Sequence, residues 1–139
     1  MSKIINLTRM PITKEQKKQG LFDPKNKKAV LRLLAFDAPP EYEKILDVAQ
    51  TLVAIAINEG AKEAAISGPA YLTSALESAL IANGITPIYP YYKIVDMTRI
   101  DSSGKTVKGA ELQHISFVPS VAAQQLRKRQ ELDAAWDKV

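Results

Sequence analysis

Residues 39–58 constrain the fold more than any other stretch. Ile45, Val48, Ala49, Leu52, Val53, Ile55 and Ala56 recur at helical spacing, and Gly60 stops the run. Asp37-Ala-Pro-Pro-Glu41 is a strong helix start, so the helix is expected from about Pro39 to Asn58. Its apolar face is too wide for a surface helix and implies deep burial against a sheet. The following residues supply that sheet. Glu63–Ser67 is a short buried strand, and Gly68-Pro69-Ala70 is a tight turn. Tyr71–Asn83 is a helix with Leu72, Ala75, Leu76, Ala79 and Leu80 inward, closed by Asn83-Gly84. Ile85–Tyr92 is the next strand and runs on to about Arg99.

The flanks extend the same order. Lys3–Leu7 is short, β-branched and apolar, and reads as a buried first strand. Thr13 with Gln16 three residues on forms a capping box for a short helix through Gln19, with Gly20 beyond it. Asp23-Pro24 is expected to open a second helix, Asp as cap and Pro in the first turn. Ala29, Val30, Leu33 and Leu34 would form its apolar face, and their 3,4-spacing favours helix over a strand at Val30–Phe36. Asp101-Ser-Ser-Gly104 is a hairpin turn, Thr106–Val118 the returning strand, and Val121–Lys138 a final charged helix.

Strand, helices, strand, helix, strand is the pattern of a parallel sheet with right-handed crossovers. The fold expected is α/β: three-layer, Rossmann-like, mostly parallel, with an antiparallel hairpin edge and a C-terminal helix. No linker or repeat interrupts the 139 residues, so one domain is expected over 1–139, with 120–139 as a candidate oligomerisation arm.

Composition excludes several chemistries. There is no cysteine, so disulfides, thiolate catalysis and cysteine-ligated zinc are impossible. One histidine, His114, gives no metal cluster and no histidine pair, and as a lone strand histidine it reads as structural. No cofactor and no metal are expected. No apolar run reaches membrane-spanning length, and the N-terminus lacks a signal-peptide core, so a cytoplasmic protein is expected. The net charge of +4 is uneven: residues 1–30 carry +6 and the remainder −2. That basic cluster (Lys14, Lys17, Lys18, Lys25, Lys27, Lys28) reads mainly as a solvated helix face. It is a local field suited to a small anion and too patchy for long nucleic acid.

Ligands of open α/β sheets bind beyond the carboxyl ends of the strands. Three segments are expected there. Asn6, Thr8 and Arg9 offer an amide, a hydroxyl and a guanidinium. Ser67, Gly68, Ala70 and Tyr71 form a small-residue turn into a helix N-terminus, where free N–H groups favour an anion. Tyr89, Tyr91, Tyr92 and Lys93 offer stacking faces and a cation. The alternative reading is plainer: a tight β–α turn, a self-bonded loop, and tyrosines on a half-buried hairpin.

Four segments carry a resemblance: Ile-Ile-Asn-Leu-Thr-Arg-Met-Pro-Ile-Thr-Lys-Glu-Gln at 4–16, Leu-Leu-Ala-Phe-Asp-Ala-Pro-Pro at 33–40, Ala-Ala-Ile-Ser-Gly-Pro-Ala-Tyr-Leu at 64–72, and His-Ile-Ser-Phe-Val at 114–118. Together they resemble a family of small uncharacterised bacteriophage and prophage proteins. Met10 stands where that family usually has a histidine. The layout is also similar, more loosely, to the CRISPR-associated Rossmann-fold superfamily with its small ring nucleases. That likeness implies a homodimer binding a nucleotide-type ligand, as a phage-encoded sponge or ring nuclease for a cyclic oligonucleotide defence signal. Turnover, if present, would be metal-independent: a ribose 2′-hydroxyl attacking in line, with Arg9 or Lys93 stabilising charge. The alternative is a non-enzymatic interaction or phage accessory module that uses the hairpin and the C-terminal helix.

Overall fold

The computed structural model describes residues 3–137. Five strands form one sheet in the order β2-β1-β3-β4-β5. They are β1 (Ile4–Leu7), β2 (Leu21–Phe22), β3 (Glu63–Ile66), β4 (Thr86–Ile100) and β5 (Thr106–Pro119). The first four run parallel, and β5 pairs antiparallel to β4. The helices are α1 (Lys14–Lys18), α2 (Lys27–Leu33), α3 (Tyr42–Asn58), α4 (Ala70–Ala82) and α5 (Val121–Asp137). The fold is therefore the expected mostly parallel α/β sheet with an antiparallel edge and a C-terminal helix. None of the described helices is long and apolar enough to cross a membrane.

The β1–α1–β2 crossover steps one way along the sheet, and the crossovers through α2–α3 and through α4 step the other way. With right-handed connections, α1 lies on one face and α2, α3 and α4 on the other. The period-2 alternation of the strands follows this division. Ile5, Leu7, Ala64 and Ile66 share a core with Val48, Leu52, Leu72, Leu76 and Leu80. Ile4, Leu21, Ala65 and Ile88 form a smaller core on the opposite face, backed by Ile12 and Phe117. The α1 layer is thus thin and the α3–α4 layer thick.

Three expectations are corrected. The two-residue β2 has no periodicity to read, yet it pairs with β1 through Ile4↔Leu21 and Ile5↔Phe22. Asp23 does not cap α2; Asn26 does, its Oδ1 accepting the Ala29 N–H at 3.1 Å. The Asp23 carboxylate is engaged instead by the Asn6 side-chain amide and the Lys27 ammonium, each at 3.0 Å. Helix α3 begins at Tyr42, three residues after Pro39, because a residue before proline is disfavoured in helical conformation and Pro39 precedes Pro40. Lys138, expected in the last helix, lies outside the described residues.

Beyond Ile88, β4 has a strand neighbour only in β5. The two continue as a ribbon to the turn at 101–105, after a register shift at Tyr91/Tyr92. The Asp101 carboxylate accepts the Ser103 and Lys105 N–H groups at 2.9 and 3.0 Å, closing the tip.

Candidate functional site at the carboxyl edge

The strand order reverses between β1 and β3, so the crevice between their carboxyl ends is the place where such sheets take ligands. The register Leu7↔Ile66 sets the loop at Thr8–Met10 beside the turn at Ser67–Pro69. Two of the three expected segments therefore meet. Of the third, Tyr89 lies next to them, beside the first turn of α4, and Tyr92 turns away.

Asn6 and Thr8 are buried, and their polar groups are committed to the loop itself. The Asn6 Nδ2 donates to the Met10 carbonyl and to Asp23 Oδ1, both at 3.0 Å. Its Oδ1 accepts the Thr8 N–H at 3.1 Å and the Thr8 hydroxyl at 2.6 Å. The Thr8 Oγ1 in turn accepts the Met10 N–H at 3.1 Å. An asparagine side chain has two donors and two acceptor sites, and all four are in use. These residues shape the loop, and it is Arg9 and Met10 that stand exposed on it.

The second segment is built for an uncapped helix end. Gly68 has φ +127°, a conformation closed to ordinary side chains. Pro69 is the N-cap of α4 and has no side chain able to accept an N–H. The first amides of a helix have no partner within it, so those of Ala70 and Tyr71 point outward with the positive end of the dipole. Ser67 is half-buried; Gly68, Ala70 and Tyr71 are exposed.

Tyr71 also belongs to a concavity. Its ring meets Phe36 edge-on, with centroids 5.6 Å apart and planes at 70°. Phe36, Asp37, Ala38, Pro39, Pro40, Ile45 and Tyr71 line an open pocket of about 540 Å³. Pockets of this volume take small organic ligands. The helix-start motif had identified 37–40 only as the entry to α3. Its role as a pocket wall depends on contact with Tyr71, 31 or more positions away, which local patterning does not reveal.

The remaining tyrosines diverge. Tyr89 packs with the thick core against α4, and burial pushes its hydroxyl pKa up, partly opposed by a hydrogen bond from Thr73. Tyr91 and Lys93 are exposed at the root of the ribbon. Tyr92 turns to the thin face, where its hydroxyl accepts from Gln16 Nε2 at 3.0 Å.

Gln16 anchors a buried polar cluster that the capping box only half foretold. Its Oε1 accepts the Thr13 N–H at 3.0 Å, which fixes the orientation of the amide. The Nε2 donors then face Tyr92 and, at 3.1 Å, His114 Nδ1. An amide NH₂ only donates, so Nδ1 accepts and His114 is the neutral Nε2–H tautomer. Its Nε2 lies 3.3 Å from Gln19 Oε1, the acceptor that tautomer requires. Burial holds the His114 pKa below the usual histidine value, against an opposing pull from Glu15. His114 thus joins the ribbon root to α1, as the structural reading of a lone strand histidine expects.

Among the described residues no group of three or more His, Asp or Glu side chains is placed to hold a metal ion. Comparison with protein-family models, curated proteins and solved structures returns no match to this chain.

Proposed function

We propose that the protein binds a small anionic, nucleotide-type ligand at the carboxyl edge of its parallel strands. The observation that carries this reading is the Phe36–Tyr71 pocket beside the uncapped N-terminus of α4, at the point where the strand order reverses. An aromatic pocket suits a base, and the Ala70 and Tyr71 amides with Arg9 suit a phosphate. The basic surplus of residues 1–30 adds attraction for an anion. The likeness to CRISPR-associated ring nucleases directs the choice of probe to cyclic and linear oligonucleotides. Met10, exposed where the phage family that the sequence resembles usually has a histidine, directs it to binding rather than cleavage.

A thermal-shift series with these oligonucleotides tests the reading. A ligand at about 100 times its Kd adds about 2.7 kcal/mol. For a domain of this size that raises Tm by about 10 °C. Arg9→Ala should remove the shift while leaving the ligand-free Tm within about 2 °C, as its side chain is exposed, and Tyr71→Ala should remove it with a ligand-free loss of about 2–6 °C from the lost Phe36 contact. Absence of any shift, or a shift that survives both substitutions, removes this edge from the function.

A second reading has its own observation. The ribbon and α5 expose large apolar side chains, including Ile94 and Ile100 on β4, Leu112 on β5, and Leu132 and Trp136 on α5. Such surfaces mark contacts with another protein chain. A chain whose residues 94–112 are replaced by a two-residue Asn-Gly turn should lose its associations while the body stays folded. Associations unchanged by that replacement count against the ribbon as a docking arm.

A further inference from the structure

We infer that the outer edge of β4 between Lys93 and Asp101 pairs antiparallel with the same edge of a second copy, with Met97 on the two-fold axis. The inference extends the docking-arm reading by naming the partner and the register, and it is independent of the ligand at the carboxyl edge.

The edge is open for pairing. Residues 93–100 are hydrogen-bonded only toward β5, so their other N–H and C=O groups form an unpaired row. The segment contains no proline and no bulge, and its remaining guards, the charges of Lys93, Asp96 and Arg99, oppose pairing only in registers that set like charges together. A two-stranded ribbon is marginal in water, whereas four strands with apolar cover are not.

Symmetry restricts the register. Directly opposite residues in an antiparallel pair point to the same face, and side chains alternate faces along a strand. A two-fold between two copies of one strand must therefore pass through a single residue. Centring it on Asp96 sets that carboxylate against itself and Lys93 against Arg99; centring it on Arg99 opposes two guanidinium groups. Like charges directly opposite are destabilising.

Centring it on Met97 produces the opposite result. Lys93 of each copy faces Asp101 of the other, twice by symmetry. The Asp101 carboxylate is held ionised by its turn hydrogen bonds, which lower its pKa. Ile94 faces Ile100, joining two side chains that are 67% and 74% exposed in the single chain. Leu112, paired with Ile94 across the ribbon, lies on the same face and extends the apolar patch. Val95 then faces Arg99, and Asp96 faces Thr98. On the free edge of β5, the one centre from 107 to 113 that sets opposite charges across from one another is Lys108, which faces Lys105 with Glu111 but opposes the two Lys108 ammonium groups.

Cysteine cross-linking tests the register directly, because the chain contains no cysteine of its own. In the proposed pairing the two Met97 Cα atoms lie about 4.5–5.5 Å apart, inside the range a disulfide spans. Mild oxidation of Met97→Cys should give a disulfide dimer. Arg99→Cys alone should not, since its two copies sit about 14 Å apart along the strands. Mixing Val95→Cys with Arg99→Cys chains should give the heterodimer in preference to either homodimer. Equal cross-linking at 97 and 99, or none at 97, overturns the register. If that occurs while the Asn-Gly replacement still abolishes association, the ribbon remains a docking arm and only this partner geometry is wrong.

Discussion

Gln16→Ala is the perturbation with the clearest consequence for the fold. The side chain is 1% exposed and makes three hydrogen bonds, to the Thr13 N–H, the Tyr92 hydroxyl and His114 Nδ1. Each contributes about 1 kcal/mol net. Thr13 and Tyr92 are only partly buried and can turn to water. His114 is buried, and an acceptor left without a partner there costs about 1–2 kcal/mol more. The expected loss is about 4 kcal/mol, a large part of the total stability of an ordinary domain. At this chain length that lowers Tm by about 15 °C, measured by circular dichroism at pH 8.

Acid then separates this account from a simple packing defect. His114 is held neutral in the folded chain, with its pKa below the unfolded value. The unfolded state therefore takes up its proton first, and stability falls as pH drops below about 6.5. Gln16→Glu keeps the cap acceptor but sets a carboxylate beside Nδ1, which raises the folded pKa. In that variant the contribution is full below about 6.5 and is lost as pH rises through the folded pKa. Melting curves from pH 5 to 8 should show opposite slopes in the two proteins. A Tm change under 2 °C in Gln16→Ala, or the same slope in Gln16→Glu as in the parent, refutes the clasp.

Two other perturbations address the body and the ribbon separately. Leu76→Ala empties a site with no exposed surface in the thick layer. It should cost about 3 kcal/mol in chemical denaturation, with an unchanged dependence on denaturant. Asp101→Ala removes the acceptor that closes the tip. Hydrogen exchange should accelerate at 97–109 and leave 63–88 unaffected, with global Tm nearly constant.

The legible parts of this fold were those determined by neighbours in sequence. The capping box at Thr13–Gln16, the wide stripe of α3 and the Gly68 turn each combine a period with a local terminator, and each stands where it was expected. The illegible parts depend on distant partners. Asp23 is drawn from its capping role by Asn6, 17 positions away. Gln16 reads as a cap, and its second use depends on His114, 98 positions away. The expected site shows the same division. Its β1 and β3 loops meet because parallel pairing follows from the element order. Tyr92 and Lys93 leave that edge because β4 runs on past its last pairing with β3 at Ile88; the length of the run was legible, but not where its parallel neighbour stops.

The unequal layers have a further consequence. On the thick side, opening the core means separating α3 and α4 from most of the sheet. On the thin side, α1 is five residues long and its one buried residue is Gln16, while Ile12 just before it covers the small cluster. Local opening there exposes little apolar surface, so its free energy is well below that of global unfolding. Such an opening at α1 would release the anchor of Tyr92 and His114. The ribbon's root is consequently held to the body on this face by polar contacts of a short helix and its flank rather than by a broad apolar layer.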